Sequence, residues 1–150
     1  MCGLWAQSKK GETLAANAKR YSDPTTENDV YRLTDPAYAS MLPAHYNRAI
    51  ARTSAWMLLA SDRAGTLQAF RLDLKTAQMR QLTDAAELDA SSLTLTPDNR
   101  SFCYFAGPSL LTSSLALLHE REVYRVAEGW ERGAGMSVGP DGTHAAFVEQ

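Results

Sequence analysis

Pro97-Asp98-Asn99-Arg100-Ser101-Phe102-Cys103-Tyr104-Phe105 is the stretch that decides the fold. It opens on a tight turn, because Asn tolerates the positive φ that hairpin turns demand. It then runs into a short, bounded apolar segment, which is the pattern of a buried strand and too brief for a core helix. The same turn and apolar run recur as Arg52-Thr53-Ser54-Ala55-Trp56-Met57-Leu58-Leu59-Ala60 and as Pro140-Asp141-Gly142-Thr143-His144-Ala145-Ala146-Phe147-Val148. The three copies start at Arg52, Pro97 and Pro140, a period of about 45 residues. A second motif keeps step with the first. Val30-Tyr31-Arg32-Leu33-Thr34-Asp35 returns as Met79-Arg80-Gln81-Leu82-Thr83-Asp84 and again as Val123-Tyr124-Arg125-Val126-Ala127-Glu128. Strands repeating at roughly 40–45 residues are the signature of propeller blades.

The expected fold is therefore all-β: a β-propeller fragment of about two and a half four-stranded antiparallel blades, ending before a propeller closes. The first blade is expected over residues 46–84, with strands near 46–51, 55–61, 67–73 and 78–83. The second is expected over 91–128, with strands near 91–96, 101–106, 114–118 and 122–127. A third begins over 134–150, with strands near 136–138 and 143–149. Within the first blade, Phe70, Leu72 and Leu74 alternate with Arg71 and Asp73, so one strand presents two unlike faces. Residues 1–28 read as an N-terminal extension, in which Leu14-Ala15-Ala16-Asn17-Ala18-Lys19 suits a helical turn or two.

Composition narrows the function classes. The 150 residues are 45% hydrophobic and 21% charged, the balance of a soluble globular chain with one core. A net charge of -2 and a pI near 5.9 give no electrostatic case for nucleic acid or an anionic membrane as partner. The N-terminal region carries Lys9, Lys10 and Glu12 and no apolar run of signal-peptide length, and no stretch is long enough to span a membrane. The location expected from this is cytoplasmic. Cys2 and Cys103 fit neither a metal spacing nor a disulfide framework, and read as a terminal thiol and a buried strand thiol. His45, His119 and His144 are too scattered to suggest a metal site.

Val30-Tyr31-Arg32-Leu33-Thr34-Asp35, the Asp62-Arg63-Ala64-Gly65 turn, Phe70-Arg71-Leu72-Asp73-Leu74-Lys75-Thr76 and Arg80-Gln81-Leu82-Thr83-Asp84 together resemble the start of the oligogalacturonate lyases. That family sits within the wider group of propellers resembling TolB. The resemblance runs over about residues 22–150 and corresponds to the first third of such a protein. Two departures stand out: Arg52-Thr53-Ser54 replaces an Asp-Gly turn, and Ala77 stands where Gly is common. The resemblance implies β-elimination on oligogalacturonides, with manganese or another divalent metal held by histidines and a glutamine of later blades. It assigns no catalytic residue and no metal ligand to this chain.

The innermost strand of a blade borders the central channel, and loops at its mouth contact ligands. His45, Tyr46 and Asn47 begin the first such strand and are the candidate substrate-binding residues. The plainer reading packs Tyr46 between blades and leaves His45 in a solvated loop. Arg63 suits a carboxylate contact or a solvated hairpin tip. Trp56, Phe102, Tyr104 and Phe147 fall in the repeated strand and read as blade-to-blade core. Two alternatives remain open: a TolB-like protein-binding propeller, and the propeller of a prolyl-oligopeptidase-type peptidase. The strand edge over 143–148 has no following blade in this sequence, so self-association is expected.

Overall fold

The computed structural model describes residues 9–150, so Cys2 lies outside the described residues. The chain opens with β1 (Thr13–Leu14) and a hairpin of β2 (Lys19–Ser22) and β3 (Asp29–Arg32). Next come β4 (Ser40–Met41), β5 (Trp56–Ser61), β6 (Gln68–Asp73) and β7 (Met79–Gln81), with β5, β6 and β7 each antiparallel to the one before. A second meander follows from β8 (Thr94–Leu95) through β9 (Ser101–Ala106) and β10 (Ser109–Ser114) to β11 (Glu120–Arg125). β12 (Ser137–Val138) and β13 (Ala145–Ala146) form a last short hairpin. Strand order is β1-β7-β6-β5-β4 in the first blade and β11-β10-β9-β8 in the second. Helix among the described residues is confined to one 3-10 turn, Ala90–Ser92.

Turn chemistry explains where the strands end. The Asp73 carboxylate accepts from the Lys75 and Thr76 N–H groups and the Thr76 hydroxyl, closing the β6–β7 turn. Asp98 accepts from the Arg100 N–H and the Thr96 hydroxyl, and Asp141 from the Thr143 N–H and hydroxyl. The positions that depart from the family pattern lie in the left-handed region, with φ of 53° at Ser54 and 56° at Ala77. A residue with a Cβ pays about 1–2 kcal/mol there, which is why glycine is the common choice. Gly107, at φ 53°, makes the two-residue turn that pairs Ala106 with Ser109.

Both faces of the blades are covered, as a propeller requires. Leu58, Ala60, Ala69 and Leu82 of the first blade pack on Leu95, Phe102, Tyr104 and Leu115 of the second. The opposite face of the first blade carries Leu59, Phe70, Leu72 and Met79 against Leu14 and Leu33. On the far side of the second blade, Phe105, Leu110 and Val126 meet Met136, Val138 and Phe147. The aromatic assignment holds: Phe102 and Tyr104 are fully buried, while Trp56 and Phe147 are half-buried at the rims of these clusters.

Several local expectations are corrected. No helical turn forms over 14–19; Thr13–Leu14 extends the edge of β7 instead, through Gly11 N–H to Gln81 O and Gln81 N–H to Glu12 O. Six residues are too few for a helix to survive alone, whereas an open strand edge offers ready partners. The inner strand expected over 46–51 is reduced to a single bridge, Ile50 with Met57, while Ser40–Met41 pairs with β5. The third strand of the second blade runs over Ser109–Ser114, and the residues after it turn through Leu118 at φ 55°. That apolar run misleads because the Gly107-Pro108 turn before it is only two residues long.

Candidate functional site

The segment carrying His45, Tyr46 and Asn47 is a turn laced to both blades. Asn47 N–H donates to Ala44 O at 2.8 Å, and Ala44 N–H reaches Ser91 O of the second blade at 3.2 Å. The Asn47 side-chain amide also donates to Ser91 O, at 3.0 Å. Further along, Arg48 O accepts from Leu95 N–H, and Ala49 O from Leu58 N–H. The Arg48 guanidinium donates to Pro97 O at 3.2 Å. The turn is thereby fixed at the inner edge of the two sheets.

Each candidate residue has a different setting. His45 and Tyr46 are exposed and meet edge to face, with ring centroids 5.2 Å apart. Asn47 is half-buried, and its Oδ1 is enclosed without a hydrogen-bond partner among the described residues. His45 and Asn47 line a cleft of about 390 Å³ together with Pro43, Arg48 and Met57. Tyr46 points into a different cleft, about 290 Å³, lined by Gly135, Met136 and Phe147 of the third blade. A Cβ at Gly135 would collide with the Tyr46 hydroxyl. The three residues thus share a turn but open on two adjoining clefts.

The remaining singled-out residues are structural. Arg63 is not a free hairpin tip, and its charge acts on the Asp35 carboxylate. It is half-buried, donates to Ala15 O at 3.1 Å and lies 5.9 Å from the centre of the Tyr38 ring, pinning the N-terminal segment to the first blade. Burial pushes the Cys103 thiol up, and burial with the neighbouring Glu120 pushes the Tyr104 hydroxyl up, so neither is an activated nucleophile or base. His45, His119 and His144 occupy three separate turns. No group of three His, Cys, Asp or Glu side chains able to hold a metal ion occurs among the described residues. Sequence spacing gave no sign of the bond from Asn47 to Ser91, because 44 positions separate them and only blade stacking brings them together.

Antiparallel sheets of five and four strands, apolar on both faces and stacked in series, define a partial β-propeller. The family profile described as oligogalacturonate lyase matches residues 8–149. The chain belongs to the oligogalacturonate lyase family. It is 28% identical over 122 residues to the oligogalacturonate lyase of Dickeya dadantii, covering 81% of this chain and 31% of that protein. It is 25% identical over 122 residues to the oligogalacturonide lyase of Pectobacterium atrosepticum, with the same coverage of 81% and 31%. The solved oligogalacturonate lyase of Vibrio parahaemolyticus superposes with a TM-score of 0.89 at 25% identity, over 94% of this chain and 38% of that one. A solved oligogalacturonate lyase in complex with manganese superposes with a TM-score of 0.90 at 26% identity, over 95% and 38%. This chain therefore spans about a third of the length of these curated relatives.

Proposed function

We propose that these residues are the leading blades of an oligogalacturonate lyase and form part of the wall of its sugar-binding cleft. His45, Tyr46 and Asn47 face the oligogalacturonide. The observation that carries this reading is the cleft of about 390 Å³ that His45 and Asn47 line, on a turn bonded to both blades. A cleft of this size lies in the range of small-molecule sites, about 300–1,000 Å³. The exposed His45 and Tyr46 beside it add the flat faces on which sugar rings rest. In the whole enzyme the reaction is β-elimination, with abstraction of the proton α to a uronate carboxylate. Manganese does not fit the described residues, whose histidines lie on separate turns, so no step of that reaction is assigned to them.

Digalacturonate and manganese added to the purified chain test this division of labour. The expected result is no growth of the absorbance of the unsaturated uronate, together with saturable shifts of the His45 and Tyr46 ring signals in NMR. Formation of unsaturated product would overturn the assignment of chemistry to other residues. Ring signals that stay put across the titration would overturn the binding role.

A further inference from the structure

Arg71 on β6 and Arg80 on β7 stand directly opposite one another in the first blade. Like charges paired across strands destabilise a sheet, so such a pair calls for a compensating anion. Both lie in the row that begins with Leu58, on the face turned toward the second blade. There they open on a cleft of about 590 Å³ between the blades, walled by Trp56 on one side and by Arg100 and Leu115 on the other. A cleft of this size matches the range of small-molecule sites, about 300–1,000 Å³.

None of the three guanidinium groups forms an ion pair with an acid among the described residues. Arg80 donates to two neutral carbonyls, Gly11 O at 3.4 Å and Leu115 O at 3.3 Å, which hold it in place without cancelling its charge. Arg71 lies over the Trp56 ring at 4.7 Å from its centre. Two carboxylates act on these cations through space without ion-pair contact: Asp73, which lines a neighbouring cleft with Arg71 and Arg80 and accepts from the Lys75 and Thr76 N–H groups, and Asp98, which accepts from the Arg100 N–H and Thr96 hydroxyl. Two half-buried cations, fixed by stacking and by backbone, with a third at the rim, form a preorganised acceptor for an oxyanion.

We propose that this inter-blade cleft is a second ligand site, separate from the turn of His45 to Asn47, and that it takes a carboxylate-bearing sugar. The guanidinium groups bind the carboxylate, and the Trp56 and Leu115 side chains cover the apolar face of the ring. The choice of a sugar acid over a bare anion rests on those apolar walls, which an inorganic ion would leave uncovered.

NMR titration of the isotope-labelled chain tests the site through the Trp56 Nε1–H and Arg71 Nε–H signals. Digalacturonate should shift both saturably, and sodium chloride at matched ionic strength should not. Arg71→Gln should abolish the shifts, and Arg100→Gln, in an exposed loop, should weaken binding several-fold while circular dichroism stays unchanged. Signals unmoved by digalacturonate would overturn the proposal, as would equal binding of the neutral methyl ester. Inorganic phosphate binding as tightly as digalacturonate would overturn the sugar assignment. Because His45 and Tyr46 report separately in the same spectra, failure here is distinguishable from failure of the wall-of-the-cleft reading.

Discussion

Thr83 is fully buried, yet its hydroxyl is fully employed. It donates to Gln68 Oε1 at 2.8 Å and accepts from Ala69 N–H at 2.9 Å. Gln68 in turn accepts from Ala85 N–H and donates to Ala85 O, so the two side chains stand in for backbone pairing where β7 leaves the sheet. This is the physical content of the Leu-Thr-Asp motif: Leu82 fills the core and Thr83 closes the blade. Thr83→Val keeps the shape and removes the hydroxyl, leaving the buried Ala69 N–H unpaired and Gln68 Oε1 with the Ala85 N–H as its remaining donor. The expected cost is about 1–3 kcal/mol of stability, read as a lower urea midpoint at unchanged slope. A variant as stable as the parent would contradict this account of the motif.

At the scale of the element, the blades depend on turns capped by aspartate. The Thr76 N–H and hydroxyl hold the Asp73 carboxyl below its usual range, the Thr96 hydroxyl and Arg100 N–H do so for Asp98, and the Thr143 hydroxyl and N–H for Asp141. A carboxyl whose folded pKa is depressed contributes stability that is fully present above its unfolded value, near 3.9. That contribution is lost as the pH falls through the lower, folded value. Stability should therefore hold from neutral pH down to about pH 4 and then fall. Denaturant titrations at stepped pH should show a shallower acid limb for the triple variant Asp73→Asn, Asp98→Asn, Asp141→Asn. Equal acid limbs would mean that these caps do not set the acid response. Asp98 and Asp141 were legible as turn residues from their neighbours Pro, Asn and Gly, whereas Asp73, between Leu72 and Leu74, has no such neighbours. The left-handed backbone at Ser54 and Ala77 was legible only as a departure from a family pattern, since neither residue announces a positive φ.

Across the whole molecule, the two central interfaces are lined by buried apolar side chains, while apolar side chains at the margins stand exposed among the described residues. Tyr21 and Tyr31 on the β2–β3 hairpin are 49% and 58% exposed, and Leu42 and Ile50 at the inner edge are 66% and 52% exposed. Among the described residues β12 and β13 pair only with each other, and no strand lies on the other edge of Ala145–Ala146. Open edges beside apolar side chains template pairing with other chains. The isolated chain should associate at tens of micromolar, with light scattering rising with concentration and a broad urea transition. A clean monomer with a sharp cooperative transition would show that these margins are stable as they stand.

The all-β class, the blade period and the identity of the core strands were set by the sequence alone. A repeating turn followed by a short apolar run suits strands that stack and bury Leu58, Phe102 and Phe105. Strand length and edge partners were not written locally, because Thr13–Leu14 becomes a strand only where β7 offers an edge. Tertiary structure alone decided the sites. Asn47 finds Ser91, and Tyr46 finds Gly135, only after the blades stack. Arg71 and Arg80 become one charged pair only through the register of β6 and β7, since hydrogen bonding across strands joins residues that the chain keeps apart.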